Sequence, residues 1–88
     1  MAWTIKPDPR TEKELRKIGH QDARRIRDFL RDRVGTLADP RKLGKPLKGQ
    51  SNELWRYRVG SYRVICQLRD GELVVLVIRI DHRKALNR

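Results

Sequence analysis

The chain has 88 residues, with 22 Lys/Arg against 11 Asp/Glu and a formal net charge of +11. That length fits one small domain over 1–88 with a modest core, and a 38% hydrophobic content with clear local periodicity excludes a disordered chain. One cysteine, Cys66, excludes an internal disulfide framework, and no apolar run approaches the roughly 18 residues of a membrane span.

The start M-A-W-T-I-K carries no signal-peptide core, so a soluble, cytoplasmic protein is expected. Residues 2–6 suit a short first strand with Trp3 and Ile5 on one face, stopped by Pro7. Asp8-Pro9 then reads as an N-cap followed by proline at the first helical position. The first helix runs to about Ile18, and Gly19 is its stop signal. A second helix spans about 21–34: Ala23, Ile26, Leu30, Val34 and Leu37 recur at spacings of three and four and form one apolar stripe. The short Gly19-His20 region makes the two helices an antiparallel hairpin.

Residues 38–53 are rich in Pro, Gly and Lys and read as a loop. Its cations Arg41, Lys42, Lys45 and Lys48 are expected to be exposed and mobile, and to suit contacts with a nucleic-acid backbone. The charge is uneven. Residues 1–40 hold ten Lys/Arg and seven Asp/Glu, whereas residues 41–88 hold twelve and four. The second half therefore predicts an anionic partner, and composition leaves RNA, DNA, an acidic protein and an anionic membrane open.

Three strands follow, over about 54–59, 62–69 and 72–80. Gly60-Ser61 joins the first pair and Asp70-Gly71 the second, as two-residue hairpins. In L-W-R-Y-R-V, Trp55, Tyr57 and Val59 share one face, and Arg56 and Arg58 share the other. The first hairpin puts Arg58 opposite Arg63. Like charges directly opposite are destabilising, so a fold with this pairing gains from an anion between them, and a nucleic-acid phosphate is the expected one. The second hairpin pairs Arg69 with Glu72, Ile65 with Leu76 and Arg63 with Ile78. Continued straight, the last strand turns Ile80 and His82 toward the arginines. The opposite face, with Trp55, Tyr57, Val59, Val64, Cys66, Leu68, Val75 and Val77, should cover the helices. The predicted class is α+β: β-α-α-β-β-β, with a helical hairpin on one face of a largely antiparallel four-stranded sheet.

The stretches K-P-L-K-G (45–49), L-W-R-Y-R-V-G-S-Y-R-V-I (54–65) and V-V-L-V-I-R-I-D-H-R (74–83) resemble the RelE/ParE superfamily of toxins from toxin–antitoxin pairs. The order of elements extends that resemblance over nearly the whole chain, and RelE-like members are the more similar. The resemblance implies a bacterial or archaeal toxin that cleaves messenger RNA in the A site of the 30S ribosomal subunit, without a metal or other cofactor. The RNA's own 2′-hydroxyl attacks the neighbouring phosphorus and leaves a cyclic phosphate and a free 5′-hydroxyl. It implies that Arg56, Arg58, Arg63 and Arg83 surround the scissile phosphate, and that an acidic, RelB-like antitoxin neutralises the toxin in a hetero-oligomer.

Two departures bear on the chemistry. Where such toxins end in H-R-x-x-x-Y-R, this chain reads H-R-K-A-L-N-R, so Asn87 stands in place of a tyrosine and cannot stack on a base. Arginine also stands at both strand positions where related toxins carry lysine. With a pKa above about 12, arginine stabilises a phosphorane but is a poor proton acceptor. His82, with an intrinsic pKa of about 6.5, is then the expected general acid or base. The alternatives are a ParE-like inhibitor of DNA gyrase without nuclease activity, and a catalytically weakened homologue that binds its antitoxin.

Overall fold

The structure, a computed structural model, describes residues 3–47 and 54–82. Its strands and helices run β1 (Thr4–Pro7), α1 (Pro9–Ile18), α2 (His20–Phe29), β2 (Lys45–Pro46), β3 (Leu54–Val59), β4 (Tyr62–Arg69) and β5 (Val74–His82). The strands form one sheet in the order β1-β5-β4-β3-β2. Only β1 and β5 pair in parallel; the other neighbours are antiparallel. The α+β class and the one-sided helical hairpin are as predicted. The sheet has five strands rather than four, because Lys45 and Pro46, read as loop, pair with Arg56 and Trp55 as an edge strand.

The helices form where their signals stand. The Asp8 carboxylate accepts from the Arg10 N–H at 2.9 Å, satisfying an otherwise unpaired donor of the first turn. Gly19 sits at φ 95°, a value that a side chain would strain, and so reverses the chain between the helices. Past Phe29 the helix widens into a π-turn over Leu30–Val34, closed by the Gly35 N–H on the Leu30 carbonyl at 2.7 Å. The helical segment thereby continues to Val34, where the sequence reading ends it.

The core lies between this hairpin and one sheet face. Leu15, Ala23, Ile26, Leu30 and Val34 meet Tyr57, Val59, Val64, Cys66, Leu68, Val75, Val77 and Ile80. Thr11 is a fully buried polar residue, and its hydroxyl donates to the Val77 carbonyl at 2.7 Å, which docks α1 on β5.

Three local expectations are corrected. The segment 38–44 is not free: the indole N–H of Trp3 donates to the Ala38 carbonyl, that of Trp55 to Leu43, and the Tyr57 hydroxyl to Pro40. Buried Trp and Tyr need a partner for their polar ends, and the loop carbonyls supply it. Asp70-Gly71 is not a two-residue hairpin. Residues 70–73 form a longer turn in which Arg69 is opposite Val74 in the ladder, while its side chain keeps the expected ion pair with Glu72 at 3.7 Å across the turn. Leu73 takes φ 53° there, packs against the core and accepts from the Thr4 N–H at 2.9 Å, so tertiary contacts override the local turn preference.

The third correction is a bulge. Ile65 pairs with Arg79 while its neighbour Cys66 pairs with Val77, so Ile78 is an extra residue on β5. A period-two pattern that gains one residue changes face. Ile80 therefore enters the helix-side core at 6% exposure instead of facing the arginines. Arg63 lies opposite Asp81, not Ile78.

Candidate nucleic-acid interface

The sheet face away from the helices carries two cross-strand rows of charge. In the first, Lys45 on β2 pairs with Arg56 on β3, Arg56 with Ile65 on β4, and Ile65 with Arg79 on β5. In the second, Arg58 pairs with Arg63, and Arg63 with Asp81. Neighbouring strands are about 4.8 Å apart, so each row brings its side chains within reach of one polyanion. Five cations and one carboxylate share this patch. The face is not wholly polar: Ile65, at 3% exposure, sits between Arg56 and Arg79. Arginine stems cover apolar surface while their heads reach water, which suits such a site.

Backbone geometry holds β2 in place. Gly44 has φ 70°, and a Cβ there would collide with the Arg56 carbonyl oxygen and the Tyr57 ring. Only a glycine lets the chain approach β3 closely enough for Lys45 to join the first row. Beside it, a cleft of about 320 Å³ is lined by Phe29, Leu43, Lys45, Arg56 and Arg58, among others.

The second row contains an incomplete ion pair. Arg63 Nη2 lies 3.6 Å from Asp81 Oδ2, beyond hydrogen-bonding range. Arg79 Nε donates to Asp81 Oδ1 at 3.1 Å. Arg63 Nε is buried with no hydrogen-bond partner among the described residues, while Asp81 Oδ2, 2.9 Å from Arg79 Nε, is ion-paired to Arg79 without an aligned hydrogen bond. Among the described residues Arg63 thus keeps its Nε uncommitted, although a carboxylate stands beside it.

The predicted site residues divide. Arg56, Arg58 and Arg63 come together on one face as expected. Lys45 joins them from an edge strand rather than from a loose loop. His82 does not join them. Beyond the bulge it pairs with Tyr62, and the two rings meet edge to face with centroids 5.1 Å apart. That places His82 at the rim of the helix side, which removes the geometric ground for proton transfer at the arginine rows. Arg41 is engaged at the far end of the sheet, on Asp70 at 2.8 and 3.0 Å. Arg63 and Asp70 are seven residues apart along β4, about 23 Å at strand rise. The Arg41 hydrogen bonds hold the Asp70 carboxyl below its usual range, and the same contacts raise the Arg41 guanidinium. Lys42 is exposed on the turn Pro40–Lys42. Lys48 and Arg83 lie outside the described residues.

Arg79 and Asp81 escaped the sequence reading, because a straight strand buries both beside Val75 and Val77. Cys66 is fully buried, and burial pushes its thiol well above the usual range, which keeps it protonated in the core. Among the described residues no three His, Cys, Asp or Glu side chains stand close enough to hold a metal ion. No helix among them is long and apolar enough to cross a membrane.

The family described as ParE toxin of type II toxin-antitoxin system, parDE, matches residues 5–86. Over 89 residues the chain is 26% identical to Toxin RelG of Mycobacterium tuberculosis, covering 100% of this chain and 99% of RelG. Among solved structures, a mutant of E. coli toxin RelE in the free state superposes with a TM-score of 0.76 at 29% identity, over 99% of this chain and 90% of that one. The toxin–antitoxin complex RelBE2 from Mycobacterium tuberculosis contains a chain that superposes with a TM-score of 0.82, over 94% of this chain and 93% of that one. At 23% identity, that second likeness is one of fold. Sequence and fold match almost from end to end, and the chain belongs to the ParE toxin family of type II toxin–antitoxin systems, within the RelE/ParE superfamily.

Proposed function

We propose that this toxin is a ribosome-dependent endonuclease that cleaves messenger RNA in the A site, with the arginine face as its phosphate-binding surface. The observation that carries the reading is the second row. Arg58 and Arg63 stand directly opposite on neighbouring strands, an arrangement that costs stability unless an anion lies between them. Arginine is suited to a phosphorane because its planar fork offers several donors at fixed geometry and stays charged.

In the proposed step the 2′-oxygen bonds to the adjacent phosphorus and the bond from phosphorus to the 5′-oxygen breaks. The 2′-hydroxyl gives up its proton and the departing 5′-oxygen takes one. Arg58 and Arg63 stabilise the charge that builds on the non-bridging oxygens. Lys45, Arg56 and Arg79 bind the flanking phosphates, and Arg83 joins the scissile one by its place in the H-R motif. Such a site works on ribosomes, hence in the cytoplasm. Several similar folds are seen bound to antitoxins. By the same charge logic an acidic antitoxin segment covers these rows and blocks RNA.

Primer extension on messenger RNA after induced expression tests the proposal. Wild type should produce codon-positioned cuts, and Arg58→Ala or Arg63→Ala should weaken them by about 10²-fold, the usual effect of losing one transition-state donor. Growth arrest with intact messages would sink it. The rival reading, inhibition of DNA gyrase without RNA cleavage, is favoured by His82 standing on the other face and by Asp81 standing beside Arg63. A supercoiling assay separates the two. The tyrosine missing at Asn87 points to slower cleavage than in relatives that have it, and a form without cleavage would act only by binding antitoxin.

A further inference from the structure

We propose that Asp81 is a built-in counter-ion that competes with the incoming phosphate for Arg63 and so sets how tightly this face holds RNA. The inference rests on the reading of the arginine rows as a phosphate site and adds a residue that tunes it.

The bulge makes this arrangement. Without the extra Ile78, an isoleucine would oppose Arg63, and the Arg58–Arg63 pair would be relieved by solvent ions alone. With it, a carboxylate at 17% side-chain exposure stands one strand away from Arg63. Its charge is poorly screened there, because burial lowers the local dielectric.

The contacts are those of a competitor, not of a closed salt bridge. Asp81 Oδ1 is fixed by Arg79 Nε at 3.1 Å, so the carboxylate is held from the solvent side. Asp81 Oδ2 lies 2.9 Å from the same Arg79 Nε as an ion pair and 3.6 Å from Arg63 Nη2, too far for a hydrogen bond to Arg63. Arg63 Nε is likewise buried and unpartnered among the described residues. A committed pair would have spent both donors of the fork on the carboxylate. Arg63 is instead held close to a negative charge while its Nε stays unpartnered among the described residues. A phosphate settling between Arg58 and Arg63 must overcome the attraction of Arg63 to Asp81 and then sit within about two strand spacings of that fixed anion. Both effects weaken the hold on RNA, and both run through Arg63. Asp81 is therefore a tuning residue for Arg63 and does not itself contact the substrate.

The test is fluorescence anisotropy with a labelled, fully 2′-O-methylated RNA dodecamer, which cannot be cut, at one low salt concentration. Asp81→Asn should bind about tenfold more tightly, the scale of one neighbouring charge at intermediate dielectric. Asp28→Asn, which changes net charge equally on the exposed α2 surface, should stay within about twofold. In an Arg63→Ala background the gain from Asp81→Asn should vanish, which isolates the coupling. Asp81→Ser, a second neutral replacement, guards against misfolding in the first, with thermal melting as the check on both. Asp81→Asn that matches Asp28→Asn, that weakens binding, or whose gain survives without Arg63 overturns the proposal. Arg58→Ala distinguishes the failures. If it leaves RNA binding unchanged, the phosphate face itself is wrong; if it weakens binding while Asp81→Asn does nothing, only the role of Asp81 falls.

Discussion

The two faces of one sheet obey different rules. On the helix side, Tyr57, Val64, Cys66, Leu68, Val75 and Val77 are nearly inaccessible and hold the fold by burial. On the other side, Arg56, Arg58, Arg63 and Arg79 alternate with those residues yet add little burial, and Arg58–Arg63 is a repulsive pair. Strand periodicity lets one segment carry both programmes: odd positions of β3 stabilise, even positions bind. Substitutions on the two faces should therefore separate stability from function.

The largest expected effect is on the helix side. Tyr57→Ala removes a ring at 1% exposure and costs the Pro40 carbonyl its shorter hydrogen bond, at 2.8 Å, leaving only the Leu43 N–H at 3.4 Å. Urea denaturation should show a loss of about 3–5 kcal/mol; a loss under about 1 kcal/mol would mean that the core does not rest on β3 as described. Gly44→Ala comes next. Its Cβ meets the β3 backbone, and the residue is held at positive φ, so about 1–3 kcal/mol of strain is expected. Because the strain displaces β2, the substitution should also lower RNA affinity through Lys45, a double effect that a purely structural loop would not show.

Trp55→Phe keeps the ring's apolar body and loses the indole donor to Leu43 at 2.6 Å. A cost of about 1 kcal/mol is expected, with cleavage nearly unchanged. Arg58→Gln sharpens the contrast from the other face. Stability should rise by a few tenths of a kcal/mol as the like-charge pair disappears, while RNA binding falls. If Arg58→Gln destabilises the protein, Arg58 is structural and the division between the faces fails.

The smallest effect belongs to the Arg41–Asp70 pair. Asp70 titrates below its unfolded value because Arg41 hydrogen-bonds its charged form. Its contribution is therefore present above about pH 4, the unfolded value, and is lost as pH falls through the lower folded one. Asp70 is 63% exposed, so solvent screening limits the pair to less than about 1 kcal/mol. Melting temperatures of wild type and Asp70→Asn should converge in acid and differ slightly at neutral pH, the gap closing in high salt.

Much of this protein is legible along the chain. Asp8-Pro9 and Gly19 mark the ends of α1, the three-and-four spacing marks the helical stripe through Val34, and alternation sorts Arg56 and Arg58 from Trp55 and Tyr57. Each of these is a local rule acting within one turn or one strand. The anchored segment 38–44 was not legible, because its composition is that of a loop and its anchors, Trp3, Trp55 and Tyr57, come from elsewhere in the chain. The bulge left a trace that reads clearly in retrospect. The apolar positions of β5 step from 75 and 77 to 78 and 80, while Arg79 and Asp81 fall on what would otherwise be the core parity. A straight strand would have buried two charges, which their desolvation forbids.

The sequence by itself determined the class of fold, the helix limits and the separation of arginines from aromatics, because these follow from backbone periodicity and capping within a few residues. The Gly60-Ser61 hairpin already set Arg58 opposite Arg63; only the tertiary structure decided which charges join them from β2 and β5. One extra residue in β5 turned His82 away, set Asp81 against Arg63 and put Arg79 in line with Ile65 and Arg56, while the edge strand β2 added Lys45 to that row from the other side. Register between strands is set by how the whole helix-side core packs, and a shift of one position there exchanges every partner on the opposite face.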